Sequence, residues 1–483
     1  MSDSLLRATK DEKKSFRKNY SPIKFRRWEG SLSIPKGLKL MKHQPSVIKY
    51  ALNRNRSYLG LAPGLGKTPI AALIANAVKE RTVYICPKML VFNTYEEFRK
   101  WNPTMSVAIL GTDPDWIVPD VLIIPDSILD RYETRFYIRY FNPKVIIVDE
   151  AHRFKEMDAQ RTQALLGFKD KTEGYVPGVV DRRDLVKLVY MSGTPMPNRP
   201  IELYPVIAKN CPEYIDFKNK IQFGISYCSA FYDGRTYDYR GCNEKAMQGL
   251  KELMVSKNAE DRYGFMLRLS KDTIELPPLT EEVVVLGDGK ISKELKGMQN
   301  ELLKKFTLDD LVKNMILKKT GKEDIHIATY RRLLGLEKVT PSVEFLRDIL
   351  DNTDENLLVF AIHKEVIREL GEQLSDYQPF IATGDTNSKL RHGMVREFQT
   401  NKKRKLFIGN IDAMGVGHTL TKANRIPLVE FSYVPGVNRQ AIDRGHRIGL
   451  DHPLLAQYIA LVNSFDKQVL QSLRRKEKIT AII

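Results

Sequence analysis

Short apolar runs, each closed by turn residues and separated by segments of helical period, occur in two blocks of this chain and constrain its fold more than any other feature. In the first block they fall at 83–86, 121–124, 145–148 and 188–191. Runs this short, bounded by turns, fit strands buried on both faces, and with helical segments such as 70–79 between them they predict a doubly wound parallel sheet. From 202 to 335 the alternation gives way to charged, helix-favouring residues around an extended Leu276-Pro277-Pro278 break. It resumes with runs at 357–362, 380–383, 405–409, 426–431 and 458–462. The expected fold is therefore α/β, two doubly wound parallel-sheet lobes with helical insertions between them. The expected divisions are a basic N-terminal extension (1–35), lobe one (36–205), helical insertions and an interlobe linker (206–335), and lobe two (336–483).

Lysine and arginine number 77 against 59 aspartate and glutamate, a formal charge of +18, which suits a polyanionic partner or merely a soluble basic surface. The four cysteines, Cys86, Cys211, Cys228 and Cys242, form no C-x-x-C pair, so neither a zinc ribbon nor a disulfide framework is expected. No apolar stretch of about eighteen residues could span a bilayer, and the first residues are charged where a secretory segment would be apolar. These features lead to the expectation of an intracellular protein in a reducing compartment. Lys402-Lys403-Arg404-Lys405 reads as an exposed turn before a strand more readily than as a nuclear address. Phe16, Tyr20, Phe25 and Trp28 in the basic N-terminal stretch are expected to drape over lobe one.

Gly64-Leu65-Gly66-Lys67-Thr68 follows an apolar segment and precedes a helix. There, backbone N–H groups and the helix N-terminus converge on a point suited to a phosphate chain. Glycine permits close approach, Lys67 would neutralise phosphate oxygens, and the Thr68 hydroxyl would reach Mg2+. The full G-x-x-x-x-G-K-T pattern is not met, because Leu61 occupies its first glycine position. Further along, the run 145–148 leads into Asp149-Glu150-Ala151-His152. Two carboxylates at the C-terminal end of a buried strand stand where such sheets bind ligands. One can hold Mg2+ while its neighbour polarises a water. A helix cap is the plain alternative. ATP and Mg2+ are the expected cofactors.

At this point the sequence resembles superfamily 2 helicases, and more narrowly the SWI/SNF-type DNA translocases. Leu40-Met41-Lys42-His43-Gln44 looks like the family's adenine-reading segment, so Gln44 joins Gly64, Leu65, Gly66, Lys67 and Thr68 as a nucleotide-binding residue. Ser192-Gly193-Thr194-Pro195 with Asn198, Glu202 and Leu203 resembles its T-G-T-P-x-x-N-x-x-x-E-L signature, which would relay motion between the phosphate site and the nucleic-acid track. In lobe two, 358–364 resembles motif IV, Gly415-Val416-Gly417 motif V, and 440–449 motif VI. The resemblance implies RecA-like lobes, with Lys67, Asp149, Glu150, Gln440, Arg444 and Arg447 catalytic and with Thr68 and Asp149 on the metal. Arg444 and Arg447, three apart, are expected to share a helix face. Lys88, Asn93, Ser127, His363, Lys364, Gly384 and Thr386 would contact the DNA backbone without reading sequence.

Tyr227-Cys228, Tyr239, Gly241, Asn243, Arg268, Lys271, the Leu-Pro-Pro break, Arg331 and 335–338 are similar to the annealing-helicase branch of that family, although a packed tyrosine-rich insertion explains most of them. Three positions depart from the family: Leu61-Ala62 replaces an acidic pair, Leu450 a glutamine, and Arg268 between Leu267 and Leu269 a pair of arginines. The expectation is an ATP-dependent double-stranded DNA translocase, with strand annealing or fork remodelling among its tasks, and a minimal motor without accessory domains. Such a motor would be cytoplasmic in a prokaryote or virus and nuclear in a eukaryote. A strand-separating helicase on DNA or RNA is the alternative, and a catalytically dead scaffold a third.

Overall fold

The computed structural model describes residues 24–112, 118–170, 172, 174–212, 219–305, 322–401, 403–414, 419–480 and 482. The chain divides between Thr273 and Ile274 into two compact units, with 479–483 joining the first. Its strands are β1 (Arg56–Leu61), β2 (Thr82–Cys86), β3 (Val107–Ile109), β4 (Val121–Pro125), β5 (Val145–Val148), β6 (Phe168–Asp170), β7 (Gly174–Val176), β8 (Lys187–Ser192), β9 (Phe231–Tyr232), β10 (Tyr237–Asp238), β11 (Val255–Ser256) and β12 (Met266–Leu269) in the first unit. The second unit holds β13 (Leu279–Leu286), β14 (Leu357–Ala361), β15 (Phe380–Ala382), β16 (Leu406–Asn410), β17 (Arg425–Leu428) and β18 (Leu454–Leu461).

In the first unit an eight-stranded sheet runs β11-β12-β1-β8-β5-β2-β4-β3, with every pairing parallel. β2 and β5 are buried at every position, as strands covered by helices on both faces must be. Helix Lys67–Val78 returns the chain from β1, burying Ile70, Ala71, Leu73 and Ile74. β6 and β7 form an antiparallel hairpin, as do β9 and β10. Phe25 lies under the Arg54 guanidinium, as a draping segment would place it, and the Trp28 backbone N–H donates to Asn53 Oδ1 at 2.7 Å. Phe16 and Tyr20 lie outside the described residues.

The second unit is a six-stranded parallel sheet ordered β13-β18-β17-β14-β16-β15. Alternate residues of its strands enter different cores, Leu358, Phe360 and Phe407 on one face and Leu357, Val359, Leu406 and Ile408 on the other. A buried ion pair, Lys338 Nζ to Asp466 at 2.8 Å, ties helices Lys322–Glu337 and Val339–Asn352 to the end of β18. Lys338 also donates to the carbonyls of Val429 and Ile459, so its charge is not left uncompensated.

One expectation is corrected. The stretch 206–335, read as helical, supplies three parallel strands, β11 and β12 to the first sheet and β13 to the second. Arg268 interrupts the apolar run of β12, and the acidic, half-exposed β13 is an edge strand whose Glu281 pairs with Arg439 and whose Glu282 accepts from Gln457. The tyrosine-rich part of this stretch does pack: Phe223 meets Tyr227 at 4.7 Å, and Asn243 caps helix Glu244–Met254 by accepting from the Ala246 N–H.

Candidate nucleotide site and nucleic-acid track

Parallel strands carry their following loops to one edge of a sheet, and the candidate residues of lobe one gather there. β1 leads into the glycine loop, β5 into Asp149-Glu150, β8 into the Ser-Gly-Thr-Pro turn, β2 toward Lys88 and Asn93, and β4 toward Ser127. In the loop Gly64 and Gly66 take φ of +90° and +72°, where a side chain would strain the backbone. A Cβ on Gly66 would also fall 2.2 Å from Gln44 Nε2. Gln44 is buried against this loop, its Oε1 accepting from the Met41 N–H at 3.0 Å, and His43 Nε2 lies 3.0 Å from the Leu65 carbonyl. Helix Lys67–Val78 starts without a side-chain cap and without an acid in its first turn, leaving its N-terminal amides to a ligand.

Lys67 Nζ lies 3.8 Å from Glu150 Oε1. Asp149 is buried, and its Oδ1 accepts from the Glu150 N–H at 2.9 Å. Burial and the adjacent Glu150 charge push its carboxyl up to about 6 against the pull of Lys67. A cation would reverse that penalty. Among the described residues no cluster of three or more His, Cys, Asp or Glu side chains forms a metal cage. Mg2+ is ordinarily held by one or two carboxylates together with the phosphates of a nucleotide. The glycine cradle, the uncapped helix and the under-compensated carboxylate thus fit Mg2+ and a phosphate chain.

A connection that the sequence did not reveal joins this site to the Ser192 turn. His152 Nδ1 stands 3.2 Å from Glu150 Oε2 and 2.8 Å from Ser192 Oγ, which also accepts from the Thr194 N–H at 3.1 Å. On the other side of the turn, the half-buried Arg268 guanidinium donates to the Gly193 carbonyl at 2.9 Å. Both contacts depend on β1 and β5 flanking β8 and β12 flanking β1, an order that no local motif encodes.

Among the expected DNA contacts of lobe one, Lys88, Asn93 and Ser127 are all exposed. In lobe two, His363, Lys364, Gly384 and Thr386 follow β14 and β15 at the corresponding edge of their sheet. Lys364 pairs with Asp385, Gly384 is exposed, and Thr386 Oγ1 accepts from the Thr383 N–H at 2.9 Å. His363 is already engaged, its Nδ1 2.6 Å from Glu430 Oε1 while Glu430 Oε2 accepts from the N–H groups of Ile362 and His363. Gly415-Val416-Gly417 lie outside the described residues.

Arg444 and Arg447 do not share a helix face. Helix Pro435–Ile442 ends before them, and the Arg444 and Gly445 N–H groups bond three residues back, to Ala441 and Ile442, in a tightened turn. The physical reason is packing. A Cβ on Gly445 would lie 2.9 Å from Ile426 Cδ1, so the tightened turn is packed closely onto β17. Arg444 is buried with its Nε donating to the Gln440 carbonyl at 3.2 Å, and burial pulls the Arg447 guanidinium below its ordinary value against the attraction of Asp443.

Residues 41–200 match the DEAD/DEAH box helicase family and residues 341–449 the helicase conserved C-terminal domain. A SWI/SNF-related matrix-associated actin-dependent regulator of chromatin subfamily A-like protein 1 from Xenopus laevis is 28% identical over 451 residues, 91% of this chain and 43% of the relative. The DNA annealing helicase and endonuclease ZRANB3 of Mus musculus is 26% identical over 471 residues, 92% of this chain and 40% of the relative. The chain is thus similar to SNF2-family helicase-like proteins along nine-tenths of its length. It spans less than half the length of these relatives. The Sulfolobus solfataricus SWI2/SNF2 ATPase core solved in complex with dsDNA aligns over 94% of either chain, at 18% identity and a TM-score of 0.43.

Packing accounts for two of the departures from the family pattern. Leu61 ends β1 fully buried, where an acid would have no solvent, and the Ala62 N–H bonds the Leu269 carbonyl of neighbouring β12. Leu450 is buried in the second unit's core, a position that a glutamine would fill only with a partner for its amide. Among the described residues no helix is long and apolar enough to cross a membrane.

Proposed function

We propose that this chain is an ATP-driven motor that tracks along double-stranded DNA. The observation that carries the reading is the phosphate cradle of lobe one, whose uncapped helix N-terminus and Lys67 face the paired carboxylates Asp149 and Glu150. Mg2+-ATP, when bound, supplies the phosphoanhydride bond and the metal charge that the reaction needs. Gly64 to Thr68 hold the phosphates by backbone amides and the Lys67 ammonium, with Gln44 supporting the loop from beneath. Asp149 and Thr68 would hold the metal, and Glu150, close to both Lys67 and His152, would accept the proton of the attacking water. Gln440, Arg444 and Arg447 would stabilise the charge that develops on the transferred phosphoryl group.

DNA as the track is supported by the basic charge of +18 and by relatives named as DNA annealing helicases. Lys88, Asn93, Ser127, Lys364, Gly384 and Thr386 supply sequence-independent backbone contacts, and His363, fixed by Glu430, presents a ring of set orientation. ATP hydrolysis measured with duplex DNA, single-stranded DNA and RNA side by side tests the reading: duplex DNA is expected to stimulate most, and absence of that stimulation overturns it. Displacement of a third strand from a triplex, without unwinding of a forked duplex, is the outcome expected of a translocase, and robust unwinding would move the chain to the strand-separating class.

A further inference from the structure

Helix Tyr132–Phe141 connects β4 to β5 and begins a few residues after the exposed Ser127. It turns Thr134, Ile138 and Phe141 into the core of its own unit. At about 100° per residue, its opposite side carries two adjacent stripes with a period of four. One is aromatic, Tyr132, Phe136 and Tyr140, exposed by 71%, 62% and 68%. The other, basic, flanks it: the half-buried Arg135 and the exposed Arg139, with the exposed Arg131 in extended conformation just before the helix. Scattered exposed apolar residues are ordinary, but three large rings on a single helix face are not. Amphipathic folding does not require them either, since the buried face is already complete.

The arginines are equally unspent. Among the described residues none of the three is paired with a carboxylate, and Arg135 Nε is buried without a hydrogen-bond partner. Glu133 is the helix's one acid. Tyr132 and Phe136 hold their rings 6.4 Å apart and inclined by only 23°, as parallel platforms about one helical turn apart. A ligand that satisfies both stripes must offer flat π faces and regularly repeated negative charge along one line. Single-stranded nucleic acid offers both, its bases stacking on rings and its phosphates meeting guanidinium groups. An acidic peptide supplies the charge without the row of faces, and in duplex DNA the faces are hidden in the stack.

We propose that the outer face of helix Tyr132–Phe141 is a stacking platform for single-stranded DNA, separate from the duplex track and independent of ATP. It would hold a strand exposed beside the motor, and its occupancy does not rest on the function proposed above.

The test uses the full chain in EDTA at low salt, with an oligo(dT) and an abasic strand of equal length as probes. Replacing Tyr132, Phe136 and Tyr140 together by serine is expected to weaken oligo(dT) binding at least about tenfold and to leave abasic-strand binding unchanged. Iodouracil placed in the oligonucleotide is expected to crosslink to the peptide that carries these rings. Equal affinities of the wild type and triple variant for oligo(dT), equal losses on both probes, or crosslinks confined to other peptides each overturn the proposal. So does a concentration-dependent dimer of the wild type that the variant cannot form while its oligo(dT) binding persists. ATPase stimulation by duplex DNA, measured on both proteins, reports separately: its retention in the variant shows an intact fold, and its absence from the wild type counts against the translocase alone.

Discussion

Each lobe buries a carboxylate just beyond the end of a parallel strand, and the two are treated oppositely. Asp149 follows β5, and burial beside Glu150 pushes it up to about 6. Glu430 follows β17, and although burial alone would raise it, the His363 ring and the amides of Ile362 and His363 hold it below the usual carboxylate range. A fold can compensate a buried charge fully, as lobe two does. Leaving one under-compensated at a sheet edge that also carries an uncapped helix and a lysine stores a demand for a cation. The contrast separates a residue that positions from one that binds.

The largest expected effect lies on the binding side. Glu150→Gln is expected to reduce ATP hydrolysis by roughly 10²–10⁴-fold while thermal unfolding is little changed, because the amide fills the same space but cannot take a proton. Steady-state turnover with duplex DNA checks this, and undiminished hydrolysis would remove the carboxylate pair from the chemistry. Glu430→Gln should act on stability instead. Losing a charge that accepts three hydrogen bonds is expected to cost about 2–3 kcal/mol near pH 7, read from denaturant unfolding. A depressed carboxyl contributes stability above its unfolded value of 4.5, and the contribution fades as pH falls through the lower folded value. The deficit of the variant should therefore shrink in acid.

Asp149→Asn should do the reverse in protein free of nucleotide and magnesium. A raised carboxyl favours the fold only while protonated, and this advantage is lost as pH rises from the unfolded value of 3.8 through about 6. Asparagine escapes the loss, so the variant is expected to be more stable than the wild type by on the order of 2–3 kcal/mol at pH 8 and to converge with it near pH 4. It should also fail to hydrolyse ATP. A variant less stable than the wild type at pH 8 would mean that the site is compensated by something other than a cation, and the contrast with Glu430 would collapse.

What could be read from sequence follows the same division between local and tertiary causes. The phosphate loop, the Asp-Glu pair and the buried strands are contiguous strings whose geometry follows from the strand or turn that holds them. β12 was hidden because Arg268 interrupts an apolar run, and only the strand order shows that its guanidinium is spent on the Gly193 carbonyl. The Arg444 and Arg447 spacing suggested a shared helix face, but the helix ends at Ile442 and the chain tightens into a turn whose Gly445 packs on Ile426. The Asp149 and Glu430 contrast was likewise invisible, since the ligands of Glu430 come from a strand end distant in sequence.

The smallest expected effect tests whether the two sides of the lobe-one site communicate. Ser192 Oγ is the atom shared by His152, itself beside Glu150, and the Thr194 N–H of the turn. Ser192→Ala removes that atom without enlarging the buried strand end, so its cost to stability should be near 1 kcal/mol, the worth of an ordinary hydrogen bond. If the turn relays the state of the track, hydrolysis without DNA should stay close to that of the wild type while stimulation by duplex DNA falls several-fold. A plain strand-ending turn predicts the same loss of stability with stimulation intact. The ratio of stimulated to basal turnover, not either rate alone, therefore distinguishes a relay from a structural hydroxyl.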